Sequence, residues 1–322
     1  MKKLLSVVFT AALFNASVGS SLAQTYPTKP VKIVVPFGPG GFTDVVARIL
    51  GVKLGESLGQ AVVIENKPGA GSTIGSDMVA KSAADGHTLL IVSSTHVISP
   101  WIYKNVPYDP IKGFTAVTKL VDSPYVLLTN PKVPAKNVQE FIALAKSQPD
   151  KIHFASSGNG SAQHLIGGLF ASMTNTQLKH VPYRSSNLAA TDLVAGVVES
   201  SFAGVPNALA QVPNGRLNAL AVTGSKRIPQ LPNVPTMQEA GVPGYDATIW
   251  LAMLAPAGTP AHIVNRLNSE IAKIMNTPET KKSMFDAGVE VSLSTPEAMS
   301  QLMVSELDKW GKVVKETGVR IE

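Results

Sequence analysis

Apolar and polar positions alternate along this chain in two distinct rhythms, and together they outline repeated strand–loop–helix units. Val31, Ile33, Val34 and Val35 form a short β-branched run, the signature of a strand covered on both faces. Pro36 and Pro39 end it, and Gly38, Gly40 and Gly41 let the backbone turn tightly. Behind the cap-type residues Thr43 and Asp44, the positions Val46, Ile49, Leu50 and Leu54 follow helical spacing. The unit repeats with a strand at 61–65, a helix through 77–80 and a strand at 88–92. Such alternation predicts an α/β fold with a mostly parallel sheet, whose ligands sit at the carboxyl ends of the strands. The loops 36–43 and 93–96 are therefore expected on one rim.

Two strands, 114–121 and 125–128, then follow each other with no helix between. That break marks a first crossing into a second set of units. These comprise a helix at 138–146, a strand at 152–155, a glycine-rich loop and a helix at 162–173. Further strands at 178–181, 199–203 and 217–222 flank a helix at 188–195. After a proline- and glycine-rich stretch, an extended run at 246–255 reads as the return crossing. Ile263, Val264, Leu267 and Ile271 give the next helix an apolar face, and Met299, Leu302, Met303 and Trp310 do the same for the last. The pattern predicts two doubly wound α/β domains joined by two crossing strands, with a ligand cleft between them. Domain I comprises 24–123 and 246–322, and domain II comprises 124–245.

The start of the chain changes the picture. Met1-Lys2-Lys3 is basic, the next eleven or so residues are almost wholly apolar, and Ser21-Leu22-Ala23 offers small residues to a signal peptidase. Residues 1–23 read as a signal peptide cleaved after Ala23, which directs the chain to export. The apolar run is shorter than the ~20 residues a bilayer span needs. The sequence holds no cysteine, which removes disulfides, thiolate nucleophiles and cysteine metal sites. The formal charge of +6 is mixed in sign along the chain and forms no basic block, so nucleic acid is not an expected partner.

Candidate chemistry is sparse. The six histidines show no metal-ligand spacing, and no nucleophile elbow or phosphate-binding Gly-Lys-Ser/Thr follows any strand. Gly69-Ala70-Gly71-Ser72-Thr73-Ile74-Gly75 imitates a dinucleotide loop with one residue too many before its last glycine. No catalytic residue, metal or cofactor is expected. What remains is the helix opened by the first glycine loop. Its unpaired amides and dipole suit a small anion, although the same pattern also describes a plain strand-to-helix connection.

A string of motifs settles that choice toward binding. Residues 36–48 (PFGPGGFTDVVAR), 65–71 (ENKPGAG), 85–90 (DGHTLL), 107–110 (PYDP), 180–183 (HVPY), 231–236 (LPNVPT) and 255–260 (APAGTP) occur in order. They resemble the Bug family of extracytoplasmic solute receptors, the binding proteins associated with tripartite tricarboxylate transporters, from about Tyr26 to Val319. The resemblance implies a periplasmic binding-protein fold that closes on a small ligand. One ligand carboxylate would be gripped by backbone groups of two loops. Carried over by position, the first holds Gly40, Gly41, Phe42, Thr43 and Asp44. The second holds Ser157, Gly158, Asn159, Gly160 and Ser161, extending to His164. Ser94, Thr95, Arg184 and Gly204 complete the expected rim. Arg184 stands where lysine is usual, Ser185 where glycine is, and Glu199 where aspartate is. The first two flank the expected ligand, so these departures bear on which ligand binds and not on the fold.

Single residues keep two readings each. Asp44 either interacts with its own helix N-terminus or fixes a water or a ligand ammonium group. Arg184 either makes a bidentate grip on a second carboxylate or is an exposed, hinge-facing residue. His164 reads as a structural hydrogen-bonder rather than a base. The expected function is capture of a small organic acid, or a related polar metabolite, by a monomer. Transporter membrane subunits or a sensor protein would be its partners. The alternative is an exported hydrolytic α/β enzyme using the same cleft, which would need two titratable side chains converging there.

Overall fold

The computed structural model describes residues 26–317. The signal peptide and its cleavage site lie outside the described residues. The first strand, β1 (Val31–Val35), is buried at four of its five positions and is followed by α1 (Phe42–Leu58). The next units are β2 (Val62–Asn66) with α2 (Thr73–Ala80), and β3 (Thr88–Ser93) with α3 (Thr95–Ile102). β1 pairs in parallel with both β2 (Val31 opposite Val62) and β3 (Ile33 opposite Leu89). All three strands therefore deliver their carboxyl ends, and the helices that follow, to one rim.

The strand β4 (Phe114–Thr129) runs unbroken through the expected gap at 122–124. Sequence pattern suggested two strands because Asp122, Ser123 and Pro124 interrupt the apolar run. Instead β4 changes partners there. Through Pro124 it pairs antiparallel with β9 (Thr248–Pro256), Phe114 opposite Pro256 and Pro124 opposite Thr248. From Tyr125 onward it pairs with β7 (Ser200–Gly204) and β8 (Asn218–Val222). β7 in turn pairs in parallel with β5 (Ile152–Ser156), and β5 with β6 (Leu178–Pro182). The order is β2-β1-β3-β9-β4-β7-β5-β6, with β8 and the short β10 (Glu290–Val291) also on β4. Both halves share the β4 backbone, and β9 returns antiparallel beside it, so the sheet is mixed rather than mostly parallel.

Each half buries both faces. In the first, α1 and α8 (Ala261–Met275) cover one face through Val46, Leu50, Leu54, Leu267 and Ile271. α2, α3 and α10 (Pro296–Thr317) cover the other through Val79, Ile98, Met299 and Trp310. In the second half, α4 (Val138–Ser147) and α5 (Ala162–Thr174) pack Phe141, Ile166 and Phe170 onto Phe154 and Phe202. The opposite face is closed by α6 (Ser186–Ala195) and α7 (Val205–Gln211) through Leu193 and Ala208. Each such aliphatic side chain contributes about 1.5–3 kcal/mol when fully removed from water. The two halves are tied at α5, whose Leu165 joins the cluster under α10. Three helices were not anticipated: α3, α7 and α9 (Pro278–Asp286).

Candidate functional site

The strand-to-helix connections of both halves face one another across a cleft of about 470 Å³. Its walls come from the ends of β1, β2 and β3 on one side and of β5, β6 and β7 on the other. At the first loop, Gly41 is the N-cap of α1 and carries no side chain to cap the helix. The first intrahelical bond runs from the Val45 amide to the Gly41 carbonyl at 3.0 Å. The amides of Phe42, Thr43 and Asp44 therefore precede the hydrogen-bond ladder. Gly40 has φ +74°, a left-handed turn that glycine adopts without steric cost. Gly41 has φ −79°, which any residue tolerates, so what it provides is close approach.

Asp44 takes the first of its two readings, an interaction at its own helix N-terminus, and extends it to two further donors. Its carboxylate accepts from the Gly40 amide (2.9 Å), from Arg48 Nε (2.9 Å) and from Asn66 Nδ2 (2.9 Å). It is buried, and it does not line the cleft. Burial alone would raise its pKa. The hydrogen bonds from Arg48, Gly40 and Asn66 outweigh that and hold it below the ordinary aspartate value. Asp44 is thus the brace that sets the first loop from behind. Asn66 also donates to the Phe37 carbonyl at 3.0 Å, so the end of β2 fixes both ends of that loop.

The second loop is braced in the same manner. The Ser157 amide donates to Gln163 Oε1 (2.8 Å), the Gly158 amide to Ser156 Oγ (3.1 Å) and the Gly160 amide to His164 Nδ1 (3.2 Å). Ser161 caps α5 by accepting from the His164 amide at 3.3 Å, which leaves the amides of Ala162 and Gln163 at the mouth. His164 stacks on His180 with ring centroids 3.7 Å apart, and His180 Nε2 lies 2.6 Å from Ser156 Oγ. Burial lowers the pKa of His164 to about 4. Burial and the neighbouring His164 lower that of His180 to about 3. Both rings are neutral at pH 7, and His164 Nδ1 is the unprotonated nitrogen that accepts the hydrogen bond from the Gly160 amide. His164 is a structural acceptor that does not line the cleft.

Of the residues expected at the site, Gly40, Gly41, Phe42, Thr43, Thr95, Ser157, Gly158, Asn159, Ser161, Arg184 and Gly204 line the cleft together. Asp44, Ser94, Gly160 and His164 stand behind its wall. Several lining residues escaped the sequence reading: Tyr103, Tyr125, Gln163, Asn187, Asn207 and the turn Gly69–Ser72. Two cross-cleft contacts join the halves. Tyr103 Oη donates to the Asn159 carbonyl at 2.9 Å, and Asn187 Nδ2 reaches the Gly40 carbonyl at 3.5 Å. Among the described lining residues Arg184 is the one charged side chain, and it forms no ion pair. The cleft therefore concentrates amide hydrogens and a single cation, with no carboxylate to oppose an anion.

The model of the tripartite tricarboxylate transporter family receptor matches residues 46–319. The chain belongs to this receptor family. Over 327 residues it is 37% identical to protein BugT of Bordetella pertussis (strain Tohama I), covering 100% of this chain and 99% of BugT. Among solved structures it is similar to R. palustris Rpa4515 with adipate, with a TM-score of 0.87 and 35% identity over 91% of this chain and 98% of that one. It is also similar to MatC (Rpa3494) from Rhodopseudomonas palustris with bound malate. There the TM-score is 0.85 and the identity 33%, over 90% of this chain and 100% of that one. The receptor is a periplasmic solute-binding protein in family and fold.

Proposed function

We propose that this receptor captures a small carboxylate-bearing metabolite by closing its two lobes on it. The carboxylate sits between the mouths of α1 and α5, where amides of Phe42, Thr43, Ala162 and Gln163 face the cleft from opposite lobes. The observation that carries this reading is the convergence of the uncapped start of α1, the first turn of α5 and Arg184 on a cleft whose described lining residues include no acidic side chain. The adipate and malate bound by Rpa4515 and MatC support it. The lobes are residues 24–123 with 246–322, and 124–245, and they rotate about the partner exchange of β4 at Pro124 and the neighbouring start of β9. Closure expels water and strengthens each hydrogen bond to the ligand. It also creates a joint two-lobe surface that transporter membrane subunits or a sensor protein would read. The described lining residues bring no carboxylate or histidine together in the cleft, which supports a site that holds the solute and releases it unchanged. The chain is delivered to the periplasm by residues 1–23, with cleavage after Ala23.

The reading is tested by heating the mature protein with a panel of mono- and dicarboxylates, amino acids and aromatic acids. A bound solute at one hundred times its Kd adds about 2.7 kcal/mol of stability and is recovered unchanged. Gly41→Val keeps an allowed backbone, since an added Cβ meets only the Gly38 carbonyl at 3.4 Å and Ser186 Oγ at 3.9 Å. Its branched side chain fills the mouth of α1 and should abolish the shift. Survival of binding in that variant would contradict the proposed grip.

A further inference from the structure

Two asparagines in the chain are followed by glycine, Asn159 and Asn214. A glycine in that position has no side chain to stop its backbone nitrogen from reaching the asparagine carboxamide, so such pairs are where a chain can modify itself. The fold treats the two pairs differently. Just past α7, the Gly215 amide donates to the Val212 carbonyl at 3.0 Å, and Asn214 Nδ2 donates to the Ala210 carbonyl at 3.3 Å. A carbonyl oxygen accepts that hydrogen bond but is too weak a base to take the proton.

The peptide bond between Asn159 and Gly160 is instead held at both ends by groups that exchange protons. The Gly160 amide donates to His164 Nδ1 at 3.2 Å, within the reach of a general base. The Asn159 carbonyl accepts from Tyr103 Oη at 2.9 Å, a distance at which a donor stabilises charge developing on oxygen. Removing the proton from a peptide nitrogen moves charge onto its carbonyl oxygen, so both contacts favour the same step. Burial keeps His164 neutral down to about pH 4, so the acceptor is present across the neutral range, although it is a weaker base than a free imidazole. Asn159 is exposed, and among the described residues its carboxamide forms no hydrogen bond, so it is free to turn onto the amide.

We propose that Asn159 and Gly160 form a self-modification site, at which the chain converts Asn159 to aspartate or isoaspartate with His164 and Tyr103 assisting. The Gly160 nitrogen attacks the Asn159 side-chain carbonyl carbon and a C–N bond forms. The amide proton passes through His164 to the leaving NH2 group, the old C–N bond breaks, and ammonia departs. Water then opens the resulting succinimide at either carbonyl. One water enters and one ammonia leaves, with no change of oxidation state. Opening at the main-chain carbonyl gives isoaspartate, in which the oxygen that accepted from Tyr103 belongs to a free carboxylate. Either product puts a negative charge on a cleft wall where Arg184 is the one charged side chain among the described lining residues. On the reading above, that charge opposes a bound carboxylate, so the second loop ages from neutral to repelling. Because Tyr103 lies on the other lobe, the assisted geometry belongs to the state in which the lobes touch.

The test is peptide mapping by mass spectrometry of the mature protein aged at neutral pH, with isoaspartate counted by enzymatic methylation. Conversion at Asn159 should outpace that at Asn214 about tenfold, below the ~10²–10⁴ that a well-matched acid or base supplies, because burial weakens the His164 ring as a base. His164→Gln keeps an acceptor for the Gly160 amide but no base, and Tyr103→Phe removes the donor to the Asn159 carbonyl. Each should slow conversion at Asn159 several-fold and leave Asn214 unchanged. A purely bracing role predicts the opposite sign, since a loosened loop converts faster. Asn159→Gln should abolish the signal on that peptide. An intact Asn159, equal rates at the two asparagines, or a rate at Asn159 that either variant raises or leaves unchanged would overturn the site. The readout needs no solute. Its failure therefore leaves the carboxylate grip standing, and a ligand panel without a binder leaves the modification standing.

Discussion

Replacing Asp44 with asparagine tests whether the first loop is set from behind. The carboxylate is 2% exposed and accepts from Gly40 and Asn66, both at 2.9 Å. Asparagine keeps one acceptor oxygen and turns an NH2 group toward the other donor. One hydrogen bond to a charged group is lost, and a part-buried donor is left facing another donor. A hydrogen bond to a charged acceptor is worth about 1.5–3 kcal/mol, so the variant should be destabilised by that amount. The pairing with Arg48, which is solvent-exposed, is left out of this figure. Equilibrium urea unfolding at pH 7 measures the loss directly. A pH series adds a second signature. The Asp44 pKa lies below its unfolded value of about 3.9, so its contribution is fully present above that value. It disappears as the pH falls through the folded-state pKa. The Asp44→Asn variant should lack this part of the acid limb. Solute affinity should fall along with stability, because Gly40 and Gly41 lose their fixed position. Unfolding within about 0.5 kcal/mol of wild type, together with a large loss of affinity, would refute the brace. It would make Asp44 a direct ligand contact.

Four further outcomes are expected. The neutral His164 and His180 make the folded state resist protonation, so stability should be complete above about pH 6.5 and decline as the pH falls toward about 4; His180→Gln should flatten that decline in pH-dependent unfolding. Gly167→Ala places a methyl 2.3 Å from the Phe154 ring, and overpacking of this kind should cost about 1–3 kcal/mol in urea titrations. Tyr103→Phe removes the bond to the Asn159 carbonyl that joins the lobes. It should weaken solute binding several-fold and enlarge the radius of gyration in X-ray scattering, with unfolding changed by no more than about 1 kcal/mol. Leu165→Ala opens a cavity where α5 meets the cluster under α10, and should cost about 2–5 kcal/mol.

Much of this architecture was legible because its elements repeat with a clear period. α8 shows Ile263, Val264, Leu267, Ile271 and Ile274 on one face and charge on the other, so its pattern states both type and orientation. α3 was hidden for the opposite reason. Val97, Ile98, Trp101 and Ile102 leave it little polar face, because it lies between α10 and the sheet, and Pro100 sits inside it. α7 is one short stretch with Pro206 in its first turn, and α9 buries only Thr280 and Met284. The joint in β4 misled because Pro124 reads as a stop. In the sheet it falls where the strand exchanges β9 for β7 and β8.

The site divides along a similar line. The glycine loop after β1 is a local signal, so residues 40–43 could be named from the pattern, whereas residues 157–161 were named because the family resemblance places a second gripping loop there. Gly69–Ser72, Tyr103 and Asn187 reach the cleft only through packing of distant segments, which no spacing records. The glycine pattern at 69–75 failed as a dinucleotide motif, yet its left-handed turn lines the cleft. Asp44 and His164 were legible as polar residues beside the loops. Whether each touches the solute or holds the backbone depends on which donors the fold brings to them.

The most direct test of the central claim is a crystal structure of the mature protein saturated with the tightest solute from the carboxylate panel. The account predicts carboxylate oxygens within about 3 Å of amides at residues 42–43 and 162–163, with Arg184 near the cargo and Asp44 and His164 still bonded to Gly40 and Gly160. A solute lodged elsewhere in the cleft, with nothing touching residues 40–43, would contradict it.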